Sequence, residues 1–306
     1  MAKISAISIM RGHNAHAVDA VLAIVDLSDE IIIIDTGVED SLKALLLKID
    51  KLKIISYKKN IPFAELVRED VKKYAKNDYI LFFDHDEIFT PSLKKLILST
   101  LGNYDYYLIP RKNIIFGQWV NHSRWWPDYQ IRFLKKKAVY WAPDIDIHKQ
   151  PTLKGKGLTV DAIENLAILH YNYENIDDFI SKAAHYAKAE AIQLYEKKQN
   201  FKLSDAINKS ISEFVGRFYM SEGYKDKTHG LVLSFFQMIY FFFVYFYYWE
   251  LSKYKIDNSD DVVEAPRQFF KSGLNNVNYW LVAKKIIPSG RRILYRIENK
   301  FISFFK

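Results

Sequence analysis

Cysteine is absent from all 306 positions of the chain. Disulfides and thiolate-held metals are therefore excluded, and nothing argues for an oxidising compartment. The opening residues, MAKISAISIM, lack the charged-then-apolar layout and small-residue cleavage site of a secretory signal, so a cytoplasmic location is the expectation. The chain has no internal repeat, no low-complexity linker and no recognisable nucleic-acid-binding module. Wholesale disorder is excluded too. Hydrophobic residues make up 49% of the chain and charged ones 26%, enough apolar material for a real core in one large domain or two modest ones.

The net charge is +8 and aromatics reach 16%. Excess positive charge suits nucleic acid, an anionic membrane or a phosphorylated substrate, or serves solubility alone. The first hundred residues alternate between two periodicities. Strands are expected at 3–10, 30–37, 52–57 and 79–84, and helices at 17–27, 39–49, 62–75 and 91–101. Acids open the second of these helices, and prolines open the third and fourth. This βα alternation predicts an α/β fold, a parallel sheet covered by helices on both faces. From 104 to about 172 shorter strands are expected between loops, followed by helices over 176–196 and 204–221.

Residues 230–249 contain no charge, and 11 of them are aromatic. As a helix this segment would be roughly 30 Å long, enough to cross a bilayer core. Ser234, Gln237, Tyr245 and Tyr248 share an arc of roughly 80°, a weakly polar stripe. The stretch fits a helix lying in the membrane interface, a spanning helix or a buried core helix. The tail over 283–306 mixes basic and apolar groups, as an anionic lipid surface would attract.

Ligands of such sheets bind beyond the carboxyl ends of the strands. Asp35 and the run Asp84, His85, Asp86 and Glu87 fall there. Two carboxylates two residues apart can share a hard divalent cation with phosphate oxygens, and the plain alternative is a capped turn before the helix that starts at Pro91. In WWPDYQIRF, Asp128 sits in an aromatic loop that suits a general base, and Arg132 is a fixed cation suited to phosphate. The plain alternative is an Asp–Arg pair that pins a loop. His148 and His170 are each a metal-ligand candidate or a hydrogen-bonded structural histidine.

These segments resemble the family 2 glycosyltransferases of the GT-A fold, in particular the WaaE-like lipopolysaccharide-core branch. EIIIIDTGVED is similar to the family's second-strand element, YILFFDHDEIFTPSL to its Asp-x-Asp-Glu element, and PRKNIIFGQWVNHSRWWPDYQIRFLKK to its Arg-x-Asn, Gly-x-Trp and Pro-Asp-x-Gln-x-Arg run. The likeness covers roughly residues 4–254. Where such enzymes carry a Thr-Lys-Asn-Glu-like stretch, this chain has Met10, Arg11, Gly12 and His13, and Glu69 replaces the usual Asn after Arg68.

The resemblance implies a GT-A, Rossmann-like, mostly parallel sheet over 1–172, with a helical part over 173–306 whose segment 230–251 associates with membrane. It implies an inverting, metal-assisted transfer of sugar from a nucleotide-diphosphate donor, UDP-sugar above others. The acceptor would be a hydroxyl of a lipid-linked or lipopolysaccharide-type glycan, handled at the inner face of the cytoplasmic membrane. Asp128 would be the general base. Asp35, Arg68, Asp84, His85, Arg111, Asn113, Gln130 and Arg132 would contact donor or nucleotide, and Asp84, Asp86 and His148 would hold Mg²⁺ or Mn²⁺. Two rival readings are a non-catalytic sugar-nucleotide-binding protein and a nucleotidyltransferase on a related fold. The second would need a Gly-rich phosphate loop after the first strand, and MRGHNAH has one glycine.

Overall fold

The computed structural model describes residues 2–57, 64–142, 150–255 and 262–304. The chain divides into two compact units, Met1–Trp119 with Trp126–Glu174, and Val120–Trp125 with Asn175–Lys306.

The first unit runs β1 (Ile4–Gly12), α1 (Ala17–Leu22), β2 (Glu30–Val38), α2 (Asp40–Leu46), β3 (Leu52–Ser56), α3 (Arg68–Val71), β4 (Tyr79–Phe82), β5 (Glu87–Phe89), α4 (Pro91–Thr100) and β6 (Tyr106–Ile115). β7 (Gln118–Trp119), β8 (Asp128–Lys135), β9 (Val139–Tyr140), β10 (Thr152–Leu153), β11 (Gly157–Thr159) and β12 (Ile168–Tyr173) follow. Among the described residues, ten strands form one sheet, in the order β3-β2-β1-β4-β8-β6-β12-β5, with β7 and β11 also paired to β6. The half from β3 to β4 is parallel throughout. β8 then enters antiparallel between β4 and β6, and β12 is parallel to β6.

The isoleucine run of β2 shows why both faces must be covered. Ile31 and Ile33 point into a core shared with Ala20 and Val21 of α1, Leu42 and Leu46 of α2, and Leu93 and Ile97 of α4. Ile32 and Ile34 point the other way, towards Val67, Val71 and Trp141. Period-two alternation buried on both sides gives a continuous apolar strand. Thr90 caps α4 by accepting a hydrogen bond from the Leu93 amide, and Pro91 fills the first helical position, where no amide is needed. The expected helix over 62–75 is described from residue 64. It is a short α-turn, α3, flanked by 3₁₀ turns over Ala64–Val67 and Lys72–Tyr74.

The second unit is helical. Its helices are α5 (Ile176–Glu196), α6 (Leu203–Val215), α7 (Lys227–Leu251), α8 (Glu264–Ala283) and α9 (Ser289–Phe304), with a π-helical stretch over Gly216–Met220 after α6. α8 and α9 fall within the span 173–306 expected to be helical. α7 packs against α5 and α6. It buries Leu233, Ser234 and Val244 while Phe235, Ile239, Phe246 and Trp249 stay exposed. Among the described residues it belongs to the one helical stretch long and apolar enough to cross a membrane. Residues 120–125 are tied in by Asp226, which accepts hydrogen bonds from the His122 amide (2.9 Å) and ring (2.9 Å).

α7 starts against a glycine contact. A Cβ on Gly230 would lie 1.9 Å from the Gly223 carbonyl oxygen, so the backbone there has no room for any side chain. Gly230→Ala should therefore lower stability by about 1–3 kcal/mol, the usual cost of overpacking. Urea denaturation followed by circular dichroism checks this, and an unchanged midpoint would refute the close contact.

Candidate active site

Strands β4, β5, β6, β8 and β12 deliver polar side chains to one end of the sheet. β4 ends in buried Phe82, and the chain continues through Phe83 into Asp84, His85 and Asp86 before β5 begins with Glu87. The antiparallel register of β6 and β8 sets Arg111 opposite Asp128. β12 sets His170 between Asn113 of β6 and Glu87 of β5.

These side chains form one connected network. Glu87 is fully buried and accepts a hydrogen bond from Arg132 at 2.6 Å and another from Arg111 at 3.2 Å. Its second oxygen accepts the Asp84 amide at 3.2 Å. Arg132, only 1% exposed, also donates to Asp84, whose other oxygen lies 3.9 Å from buried Arg68. Arg111 reaches across to Asp128, with its Nε at 2.9 Å. Asp128 also accepts from Asn113 at 3.2 Å and from Gln130 at 3.0 Å. Asn113 in turn bonds the His170 ring at 2.6 Å, and the far nitrogen of that ring lies 3.7 Å from Asp86.

Burial alone would push the Glu87 and Asp128 carboxyls up. The charges of Arg132 and Arg111 outweigh burial at Glu87, and Arg111 with the Gln130 and Asn113 amides outweighs it at Asp128. Both acids are held below the usual carboxylate range and are ionised at neutral pH. Burial likewise opposes the Arg111 charge, but Asp128 and Glu87 hold its pKa above the ordinary value.

The sequence candidates separate clearly. Asp84, Asp86, Arg68, Arg111, Asn113, Asp128, Gln130 and Arg132 are brought together. Asp35 lies in the carboxyl-terminal half of β2, but its carboxylate accepts the Gly37 and Val38 amides (2.8 and 2.7 Å) and meets Lys43 at 2.9 Å. Gly37 serves that turn with a φ of 122°, open to glycine. His85 is partly exposed and takes no part in the network. His148 lies outside the described residues. Glu87 and His170 are the members that sequence reasoning undervalued. Glu87 closes the acidic run, and two arginines neutralise it in the interior. His170 was weighed as an isolated histidine, and the signal for it is its strand position, level with Asn113.

Among the described residues no group of three or more potential metal-ligating side chains comes together. The donor set nevertheless fits a cation held mainly by a substrate's phosphates. Asp86 lies in this cluster at the end of β4, with the His170 ring 3.7 Å away. One carboxylate with substrate oxygens is a normal Mg²⁺ arrangement, and the imidazole of His170 is compatible with Mn²⁺.

Residues 15–153 match the family model described as glycosyl transferase family 2. That segment contains every network member except His170. The unit is thus an α/β fold of the GT-A kind, a mostly parallel curled sheet flanked by helices, and a helical part follows it. Solved structures of Staphylococcus aureus TarS are also similar. TarS 1–349 in complex with UDP matches with a TM-score of 0.43 and 14% identity, over 98% of this chain and 88% of that one. TarS 1–349 in complex with UDP-GlcNAc matches at 0.42 and 12%, over 84% and 95%. TarS 1–349 alone matches at 0.41 and 11%, over 90% and 80%.

Because Glu87 is ionised with a lowered pKa, it contributes stability that is fully present above its ordinary value of 4.5 and is lost as the pH falls through its folded value. Glu87→Gln removes the charge that compensates two guanidiniums and should cost about 3–5 kcal/mol at neutral pH. The gap between wild type and variant should narrow as the pH drops below 4.5. Chemical denaturation across that range measures it, and a pH-independent gap would mean that Glu87 is not ionised in the fold.

Proposed function

We propose that the chain is an inverting glycosyltransferase of the WaaE-like kind. It moves a sugar from a nucleotide-diphosphate donor, a UDP-sugar by preference, to a hydroxyl of a lipid-linked or lipopolysaccharide-type glycan. The observation that carries the reading is the single network linking Asp84 and Asp86, at the end of β4, to Asp128 on β8 through Arg132, Glu87 and Arg111. It couples a donor-binding edge to an ionised carboxylate suited to accept a proton. The family match over residues 15–153 supports the same chemistry.

Each residue's part follows from its surroundings. Asp128 is the general base. Arg111 and Asn113 hold one oxygen, and the other meets Gln130 and retains a lone pair for the acceptor proton. Attack from that side, opposite the departing diphosphate, inverts the sugar carbon. Arg132 is too buried to reach a phosphate in this arrangement, so it acts by orienting Asp84 and Glu87. Arg68 stands beside Asp84, and Asp35 borders the nucleoside. Asp86, with His170 behind it, would hold Mg²⁺ or Mn²⁺, which neutralises charge on the leaving diphosphate when bound. Residues 1–172 form the catalytic domain in this reading. The helical remainder, with its aromatic segment 230–251, keeps the enzyme on the inner face of the cytoplasmic membrane as a peripheral protein.

A screen of sugar nucleotides with Mg²⁺ or Mn²⁺, reading release of nucleoside diphosphate, tests the activity. Absence of turnover with every donor would leave a binding protein. Asp128→Asn should keep donor binding while transfer falls by about 10²–10⁴-fold, the usual scale for a general base. Near-normal transfer would move the base elsewhere. Asp86→Ala should abolish metal-dependent donor binding in calorimetric titration with UDP and Mn²⁺, and undiminished affinity would refute the metal role.

A further inference from the structure

Where α8 and α9 meet, the hydrogen bonds are polar: Asn278, 2% exposed, donates to Glu298 at 3.1 Å, and Asn299 donates to the Asn275 carbonyl at 3.0 Å. α8 gives Phe269, Val277 and Trp280 to the core it shares with α6, but other large apolar side chains of the pair face outward. On α9, Ile293 (63% exposed), Leu294, Ile297 and Phe301 form one stripe at helical spacing, and on α8 Phe270 (72% exposed) and Leu274 stand one turn apart. A helix in water does the reverse, turning its apolar stripe to the core and its amides to solvent. Here the packing of Glu298 and Asn299 fixes which face of α9 is turned inward, and among the described residues the stripe stays exposed.

The charges beside the stripe indicate what covers it. Arg292, Arg296 and Lys300 run along α9 at four-residue spacing, in the row next to Ile293, Ile297 and Phe301. Lys284 and Lys285 precede the helix. The single acid of α9, Glu298, is turned inward to Asn278. An apolar stripe bordered by cations, with no outward acid, is complementary to anionic phospholipid: the chains take the stripe and the headgroup phosphates take the arginines. A second copy of the chain would bring the same row of cations against it, and like charges repel.

We propose that α8–α9 docks on an anionic lipid surface and supplies the charge-selective part of the membrane contact that the aromatic segment of α7 also makes. This rests on the peripheral-membrane reading above and assigns its lipid preference to one hairpin.

The test is co-sedimentation of the full chain with vesicles of phosphatidylcholine alone or mixed with phosphatidylglycerol. Wild type should bind the anionic vesicles, more weakly at high salt. Ile293→Ser/Ile297→Ser/Phe301→Ser, all at exposed positions, should weaken that binding at least about 10-fold. The charge-reversal variant Arg292→Glu/Arg296→Glu/Lys300→Glu should lose the preference for phosphatidylglycerol. Phe246→Ser/Trp249→Ser on α7 should weaken binding while keeping the preference for phosphatidylglycerol, and circular dichroism confirms that each variant is folded. No binding by wild type would overturn the peripheral-membrane reading itself. Binding retained by the α9 variants but lost by the α7 variant would overturn the hairpin alone. A wild-type dimer in analytical ultracentrifugation that the serine variant dissolves would make the stripe a self-association face and overturn the proposal.

Discussion

An ionised carboxylate with no access to water, Glu87, is the constraint around which the functional edge of the sheet is built. The desolvation penalty of a buried ion is several kcal/mol even after relaxation, and good geometry with further hydrogen bonds must offset it. Here two guanidiniums and one backbone amide do so. Each arginine then has charge to spare, and each spends it outward, Arg132 on Asp84 and Arg111 on Asp128. The two acids at opposite ends of the site are therefore not independent. Their positions follow from the same buried charge, so a change at Glu87 is felt at both.

The way β12 joins the sheet follows from this. Its neighbours are β6 and β5, and it brings His170 level with both Asn113 and Glu87. The Tyr171 amide also donates to the Asp86 carbonyl at 2.9 Å, so backbone as well as side chain fixes the acid turn. His16, in the loop after β1, stacks on the Tyr171 ring with centroids 3.7 Å apart. A short strand from late in the unit thus pins the loops after both β1 and β4. Networks of this kind are rigid when every member is satisfied and costly when one is not.

The parallel half of the sheet was legible because its signal is local. Runs such as the four isoleucines of β2 need only their own composition to declare a strand buried on both faces. β5 and β12 were illegible for the opposite reason: three residues beginning with an acid, and ILHYNY with its polar groups turned to a network. Asp84 and Asp86 stand out as candidates from their place at a strand end, and Asp128 from the aromatic loop and the Pro-Asp-x-Gln-x-Arg run around it. The burial of Glu87 could not be read this way, since its partners arrive 24 and 45 residues later. The bounds of α8 were harder to read, because the face it gives to α6 through Phe269, Val277 and Trp280 lies beside a buried polar residue, Asn278.

A lowered pKa might be thought to disqualify Asp128 as a base, since a carboxylate held ionised by Arg111 is a poor proton acceptor at rest. In the proposed reaction that objection loses its force. A sugar hydroxyl is barely acidic until it has begun to bond to the electron-deficient anomeric carbon, and its proton becomes mobile only as that bond forms. The requirement on the base is then to be ionised and in place at every encounter, not to be strong beforehand. Arg111 meets the first condition, and Asn113 and Gln130 meet the second by fixing the carboxylate plane. As the proton arrives, the negative charge of Asp128 is neutralised and Arg111 is left facing Glu87 alone. The cost of that step depends on how well Glu87 compensates Arg111, so the buried glutamate, which touches no substrate in this reading, helps to set the barrier for a proton transfer one side chain away.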